Sequence, residues 1–352
     1  MNIVKDINRV RRTFFTGATK HIANDKTANL SDNAVNVRKI LVCRPNQRLG
    51  NLLLITPLIQ ELESTFPEAK IDLIVKGGLA NIVFKNFTGI HKIYQLPNKP
   101  FLEPITYLKN YYQAMAVDYD LVINATDGSS SGKIITQNSK SKYKLFGKPG
   151  LMHWVKIADY KHIAKKPILA LRERSGKGRH LKIPTLDLKL SEDELMRGRN
   201  LLNQVTMNAK KTICIFTYAT GNKMYCKKWW NQLYLEMLLN FKDFNIVEIL
   251  PKENVSQIDF KAPTFYGRNI RELGAVIAAS EVFLGADSGI MHLASSVDVP
   301  TLGLFNVTDI DMYRPYNNLS QAINTNQVDV LQIISQLKST LESKKAQSIS
   351  LK

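Results

Sequence analysis

Asp287, Ser288, Gly289 and His292 stand together in the stretch D-S-G-I-M-H-L-A. Asp287 is placed to accept hydrogen bonds from hydroxyls beside bound phosphates. Ser288 is a good N-cap, and Gly289 lets a ligand come close to the backbone. His292 falls in the first turn of the helix that follows and can face the same ligand. Before this turn, Glu281 to Ala286 is an apolar, β-leaning run. After it, Ile290, Met291, Leu293, Ala294 and Val297 recur at helical spacing for about two turns. Pro300 bars further helix, and Val299 to Phe305 reads as another buried strand. Such a strand–turn–helix unit places free N–H groups and a positive helix end just beyond the carboxyl end of a parallel strand. Open α/β sheets bind phosphates there. The plainer alternative is that Asp287 and Ser288 only cap a helix and His292 is a core residue.

The elements around this turn alternate. Lys39 to Cys43, Ile71 to Val75, Lys92 to Leu96 and Leu121 to Ala125 read as strands. Leu52 to Phe66, Ala80 to Asn86 and Tyr107 to Met115 read as helices between them. The loop Arg44 to Asn51 follows the first strand, and Thr126 to Gly132, carrying Asp127, follows the fourth. A second series begins near Lys211: strands at Thr212 to Thr217 and Asn245 to Leu250, with a helix from Trp230 to Asn240. Ser191 with Glu194 forms a capping box, and Val328 to Ser343 is a last amphipathic helix, with a frayed tail after it. This alternation predicts an α/β protein of two Rossmann-like doubly wound domains. The expected limits are 1–36 for a basic N-terminal extension, 37–185 for the first domain, 186–330 for the second and 331–352 for the closing helix and tail. A basic insert occupies 133–182.

D-S-G-x-x-H-L-A, V-P-T-L-G-L-F and the T-D after it resemble the nucleotide-sugar site of glycosyltransferase family 9, the ADP-heptose–lipopolysaccharide heptosyltransferases. In the first half, R-P-N-Q-R-L-G-N-L-L-L-I-T-P, F-P-E-A-K-I-D-L-I-V and Y-D-L-V-I-N-A are similar to the same family, and in the second half Thr264 to Arg268 and then I-R-E-L-G at 270–274 resemble the family's short strand and L-x-E-L helix. The resemblance covers about residues 38–132 and 211–309 and implies the glycosyltransferase B fold, two such domains facing a cleft. It implies an inverting transfer from a nucleotide diphosphate sugar, ADP-heptose, to a lipopolysaccharide-core-like anionic glycolipid, with no metal. On the donor side it carries over Thr220, Asp287, Ser288, Gly289 and His292, with Lys227 as the K-x-W lysine that neutralises the leaving diphosphate. Lys223 is the lesser candidate for that lysine. Arg44 and Arg48 are carried over to the acceptor side. Where the family has an Asp as catalytic base, this chain has Asn51, whose amide cannot take a proton. Asp127 is the alternative base. Two other functions stay open: a catalytically silent binder of nucleotide sugar or anionic polymer, and a transferase using another sugar or nucleotide.

Composition sets the outer bounds. The 352 residues, 44% hydrophobic and 22% charged, suit two soluble domains with their own cores. The apolar runs are too short to span a bilayer, and the first thirty residues lack a signal-peptide h-region. Cys43, Cys214 and Cys226 are scattered without metal spacing, which suits a reducing cytoplasm. Of the net charge of +18, residues 133–182 hold +12 and residues 1–48 hold +7, while the rest sum to −1. A charge so placed predicts a polyanionic partner. Ile3, Ile7, Val10 and Phe14 share one face of a basic helix over 1–22, suited to an anionic membrane surface or to the protein's own body. The expected place is therefore the cytoplasm, peripheral on the inner membrane face. No nucleic-acid recognition motif appears.

Overall fold

The computed structural model describes residues 30, 36–147, 160–176 and 181–350. The amphipathic stretch expected over 1–22 lies outside these residues, as do most of the linker after it and residues 148–159 and 177–180 of the basic segment. The first half contains β1 (Lys39–Arg44), α1 (Leu49–Leu53), α2 (Thr56–Thr65), β2 (Lys70–Lys76), α3 (Leu79–Val83), β3 (Ile90–Leu96), α4 (Pro104–Met115), β4 (Tyr119–Asn124), α5 (Ser130–Asn138), β5 (Ser141–Leu145) and α6 (Lys166–Ser175). In the second half follow α7 (Glu192–Thr206), β6 (Lys211–Phe216), a 3₁₀ turn at Gly221–Lys223, α8 (Lys227–Asn240), β7 (Phe244–Ile249), β8 (Thr264–Phe265) and α9 (Ile270–Ala278). The chain then runs through β9 (Val282–Ala286), α10 (Gly289–Ser295), β10 (Thr301–Phe305), α11 (Ile310–Tyr313), β11 (Gln321–Asn324) and α12 (Val330–Ser350).

The strands form two parallel sheets, ordered β3-β2-β1-β4-β5 and β11-β10-β9-β6-β7-β8. Central strands buried on both faces read as unbroken apolar runs, as VFLGA does in β9. Each order reverses direction once, between β1 and β4 in the first sheet and between β6 and β9 in the second. Such reversals open a crevice at the carboxyl ends of the two strands, the usual ligand position in doubly wound sheets.

Two compact units contain these sheets. One takes its described residues from Met1–Gln47, Pro57–Asn81 and Phe87–Pro184, the other from Arg48–Thr56, Ile82–Asn86 and Thr185–Lys352. Thus α1, although early in sequence, belongs by its contacts to the second unit. In the first unit, Arg172 of α6 makes a buried fork to Glu61 of α2 at 2.6 and 2.8 Å. That fork and strand β5 build the described part of the basic segment into the unit. In the second unit, the expected capping box Ser191–Glu194 opens α7, and Arg271 holds the same Glu194 at 2.6 and 2.7 Å. Arg271 also donates to the carbonyls of Leu188 and Lys189, fixing the chain that leads into α7.

Three local expectations are corrected. The helix expected over Leu52 to Phe66 is two helices, α1 and α2, separated at Leu54 and Ile55. Pro57 has no N–H to give the Leu53 carbonyl, and Thr56 Oγ1 donates to that carbonyl instead at 2.8 Å. Because α1 starts at Leu49, Asn51 sits inside a helix and not at the end of a loop. The strand expected to run from Thr264 to Arg268 stops at Phe265. The tail expected to fray after Ser343 continues as helix to Ser350. Lys344 explains part of that extension: its Nζ lies 3.4 Å from the Glu281 carboxylate and donates to the Glu281 carbonyl at 2.9 Å.

Candidate functional site

The reversal point of the second sheet lies between β6 and β9, where Phe216 pairs with Gly285. Asp287 follows β9. Its N–H donates to the Leu304 carbonyl at 3.0 Å, and the residue is only 5% exposed. From the loop after β6, Lys223 Nζ comes to 2.6 Å from Asp287 Oδ2. Gly221 makes this approach feasible, because the 3₁₀ turn begins with its backbone in the left-handed region, φ 65°. Asn306 donates to the Asn222 carbonyl at 3.4 Å and ties the turn to the end of β10. Lys223 keeps about a third of its side chain in solvent, at 36%. The ammonium is therefore held by a buried carboxylate yet open to an incoming anion. Thr220 is exposed on the same turn. Lys227, in contrast, pairs with Asp259 on the surface, both side chains being more than half exposed at 58% and 51%. Of the two lysines weighed from sequence, the structure brings Lys223 to Asp287.

Tyr225 closes the floor of this turn. Its ring stacks on Trp229 at 4.3 Å, and its hydroxyl shares a hydrogen bond with Thr325 Oγ1 at 2.9 Å. Burial pushes the phenol up to about 12, the Thr325 contact opposes the rise, and the Asp287 charge adds to it. Tyr225 is thus a neutral hydrogen-bonding group at neutral pH. Glu248 of β7 is wholly buried and accepts from Thr217 Oγ1 at 2.6 Å and Ser256 Oγ at 2.7 Å. Burial raises its pKa and the two hydroxyl donors lower it. This carboxylate joins the loop after β6 to the loop after β7. Sequence reading did not single out Tyr225 or Glu248. A glutamate inside the apolar run N-I-V-E-I-L was the available signal for the latter.

Ser288 caps α10, its Oγ accepting from Met291 N–H at 3.3 Å. The start of α10 lies directly against α1. A Cβ on Gly50 would come 2.9 Å from His292 Cδ2 and 3.3 Å from Gly289 Cα, and one on Gly289 would come 3.2 Å from Gly50 N. Two residues without side chains allow that approach. It sets Asn51, half-buried, one residue from the contact. His292 is 4% exposed, so its ring serves as the packing surface for α1. Arg48, exposed, is the N-cap residue of α1.

In the first unit, Arg44 ends β1 and is buried, and Asp127 follows β4, its neighbour across the reversal point. Asn124 Nδ2 donates to the Thr126 carbonyl at 2.6 Å and shapes the turn before Asp127. The Asp127 carboxylate stands 3.6 Å from Lys166 Nζ, at the first residue of α6. Of the predicted residues, then, Arg48, Asn51, Thr220, Lys227, Asp287, Ser288, Gly289 and His292 belong to the second unit, where Lys223 meets Asp287 and Gly50 packs on Gly289. Arg44 and Asp127 lie at the carboxyl edge of the first sheet.

Cys43 and Cys214 are buried in strands, and burial pushes each thiol up to about 12. Among the described residues no group of three or more His, Cys, Asp or Glu side chains is arranged to hold a metal ion, and no helix is long and apolar enough to cross a membrane.

The sequence model of glycosyltransferase family 9 (heptosyltransferase) matches residues 112–336, more than half of the chain. Lipopolysaccharide heptosyltransferase 3 of Escherichia coli is 22% identical over 296 residues, covering 76% of this chain and 84% of that protein. Among solved structures, a family 9 glycosyltransferase from Veillonella parvula superposes with a TM-score of 0.71 at 15% identity, covering 89% of this chain and all of that one (100%). The Escherichia coli heptosyltransferase WaaC solved with ADP gives 0.62 at 16% identity, over 86% of this chain and 99% of that one. These structures share the two-sheet glycosyltransferase B fold. The chain belongs to glycosyltransferase family 9, the heptosyltransferase family, and is a glycosyltransferase.

Proposed function

We propose that the protein is an inverting transferase moving a heptose from a nucleotide diphosphate donor, ADP-heptose, to an anionic lipopolysaccharide-core-like glycolipid at the inner face of the cytoplasmic membrane. The observation that carries this reading is the Lys223–Asp287 pair spanning the reversal point of the second sheet. It sets a part-exposed ammonium beside a carboxylate at the place where doubly wound sheets take phosphorylated ligands. In this reading the donor diphosphate draws Lys223, with Thr220 and the Ser288–Gly289 turn as further contacts, and Asp287 accepts from donor hydroxyls. Lys227 supplies general positive potential from the first turn of α8. The relatives support the donor class: one is named a lipopolysaccharide heptosyltransferase and another was solved with ADP. Arg44 and Arg48 are assigned to the anionic acceptor.

The reaction is a single displacement. The acceptor hydroxyl oxygen bonds to the anomeric carbon as the bond from that carbon to the diphosphate oxygen breaks. The hydroxyl proton passes to a base, and the nucleoside diphosphate leaves with the electron pair. Asn51 cannot be that base, so the role falls to Asp127, the carboxylate after β4. The same amide at Asn51 favours a second reading, a family member that binds nucleotide sugar without turning it over.

Single-turnover transfer from ADP-heptose to a heptose-deficient lipopolysaccharide core separates the two. Asp127→Asn should slow transfer about a hundred- to ten-thousand-fold, the usual cost of losing a general base, with ADP affinity retained. Asn51→Asp should retain or raise the rate. Unchanged transfer by Asp127→Asn removes Asp127 as base. Silence of the wild type with activity gained by Asn51→Asp establishes the second reading.

A further inference from the structure

Helix α4 has two apolar faces. Tyr107, Tyr111, Ala114 and Met115 recur on the side that enters the core of the first unit. Ile105, Leu108 and Tyr112 recur at the same helical spacing on the other side and stay 81%, 47% and 63% exposed. The turn before the helix adds Phe101 at 84% and Leu102 at 72%. A helix on the surface of a soluble protein ordinarily turns polar residues outward. Here five large apolar side chains within one short stretch face solvent, and clustering of this kind marks an interaction surface. Pro97, Pro100 and Pro104 stiffen the turn.

The surroundings give the chemistry of the partner. Between residues 97 and 117 the charged side chains are Lys99, Glu103 and Lys109, and both lysines are exposed. Asn138 Nδ2 donates to the Tyr111 hydroxyl at 3.0 Å, so the end of α5 adjoins the same helix. From there the described chain through residue 147 carries Lys140, Lys142 and Lys144 with no acidic residue, on the edge strand β5 and its approach. Apolar and aromatic side chains flanked by lysines suit the boundary of an anionic bilayer, where rings and aliphatic chains enter the acyl region and ammonium groups meet headgroup phosphates. The turn also follows β3, so Phe101 and Leu102 leave the carboxyl edge of the first sheet, the edge that carries Arg44 and Asp127.

We infer that the turn at 99–103 and the outer face of α4 insert into the surface of an anionic phospholipid bilayer. The surface rests on the reading that the acceptor is a glycolipid, and it would hold the acceptor edge of the first unit at the lipid headgroups.

The test uses the full chain and vesicles of phosphatidylcholine with about a third phosphatidylglycerol. Phe101→Ser with Ile105→Ser should lower the vesicle partition coefficient about tenfold or more, since burial of each such side chain favours transfer from water. Both residues are exposed, so the thermal melt should not move. Phe101→Trp should show a blue-shifted emission with these vesicles, quenched by lipids brominated along the acyl chain. Raised salt should weaken binding of wild type and variant alike, through the lysines. The inference is overturned if the double variant binds vesicles as wild type does, or if the emission of the Phe101→Trp variant is unmoved at saturating lipid. It is also overturned if the substitutions instead dissociate a dimer with vesicle binding unchanged. Transfer to a water-soluble core oligosaccharide is read separately: loss there in the wild type would refute the transferase, not the lipid surface.

Discussion

Replacing Lys223 and Lys227 one at a time gives the sharpest test of how the donor is held. Lys223 Nζ is 2.6 Å from a carboxylate that is almost wholly buried, whereas Lys227 meets Asp259 on open surface. A hydrogen bond to a charged group contributes about 1.5–3 kcal/mol, so Lys223→Ala should weaken ADP binding about ten- to 150-fold. An exposed pair contributes about 0.2–1 kcal/mol, so Lys227→Ala should cost about fivefold at most. Removing Lys223 also leaves Asp287 buried without its cation, at about 1–3 kcal/mol of stability. Lys223→Ala with Asp287→Asn should restore the melting temperature but not the affinity, because the diphosphate still lacks its ammonium. Isothermal titration with ADP and a thermal melt on each variant suffice. If Lys227→Ala loses more affinity than Lys223→Ala, the donor lysine is Lys227 and the reasoning from the Asp287 pair fails.

Two further outcomes follow from the second unit. Arg271 holds the Glu194 carboxyl down to about 2, below its ordinary value, so the pair stabilises the fold above about pH 4.5 and loses its contribution as pH falls towards 2. Glu194→Gln should cost about 3–5 kcal/mol in denaturant unfolding at pH 7 and much less at pH 2.5, and an equal cost at both pH values would refute the assignment. Gly50→Ala should cost about 1–3 kcal/mol and weaken ADP binding, because its methyl group would crowd His292 and Gly289. Gly128→Ala, with nothing within 4 Å of the new methyl, is the neutral control, and equal melts of the two variants would refute the packing argument.

Which parts of this were legible in the sequence follows from the range of the interactions. The central strands of both sheets could be read because strands buried on two faces must be continuously apolar, as KILVCR and KTICIF are, whereas the edge strands β5 (SKYKL) and β11 (QAIN) lack such a run and were not read. The D-S-G turn could be read because cap, glycine and helix period agree within a few residues. The Lys223–Asp287 pair could not be read that way. Counting back from Trp229 favours Lys227, but the left-handed Gly221 folds the turn so that Lys223 reaches Asp287. Position along the chain also misled at Asn51. It stands in the first half of the sequence, yet Gly50 beside it packs on Gly289 across a distance in sequence that no local pattern encodes. The tail after Ser343 reads as polar and frayed, and the contact of Lys344 with Glu281, distant in sequence, accounts for part of its extension as helix. Helix α4 shows the converse. The sequence reads as a helix over Tyr107 to Met115, and the structure shows that Tyr107, Tyr111 and Met115 enter the core while Ile105, Leu108 and Tyr112 form a second, exposed stripe. Hydrophobic period identifies a helix, but not which of two apolar faces the protein itself covers. The uncovered one is where a partner must be sought.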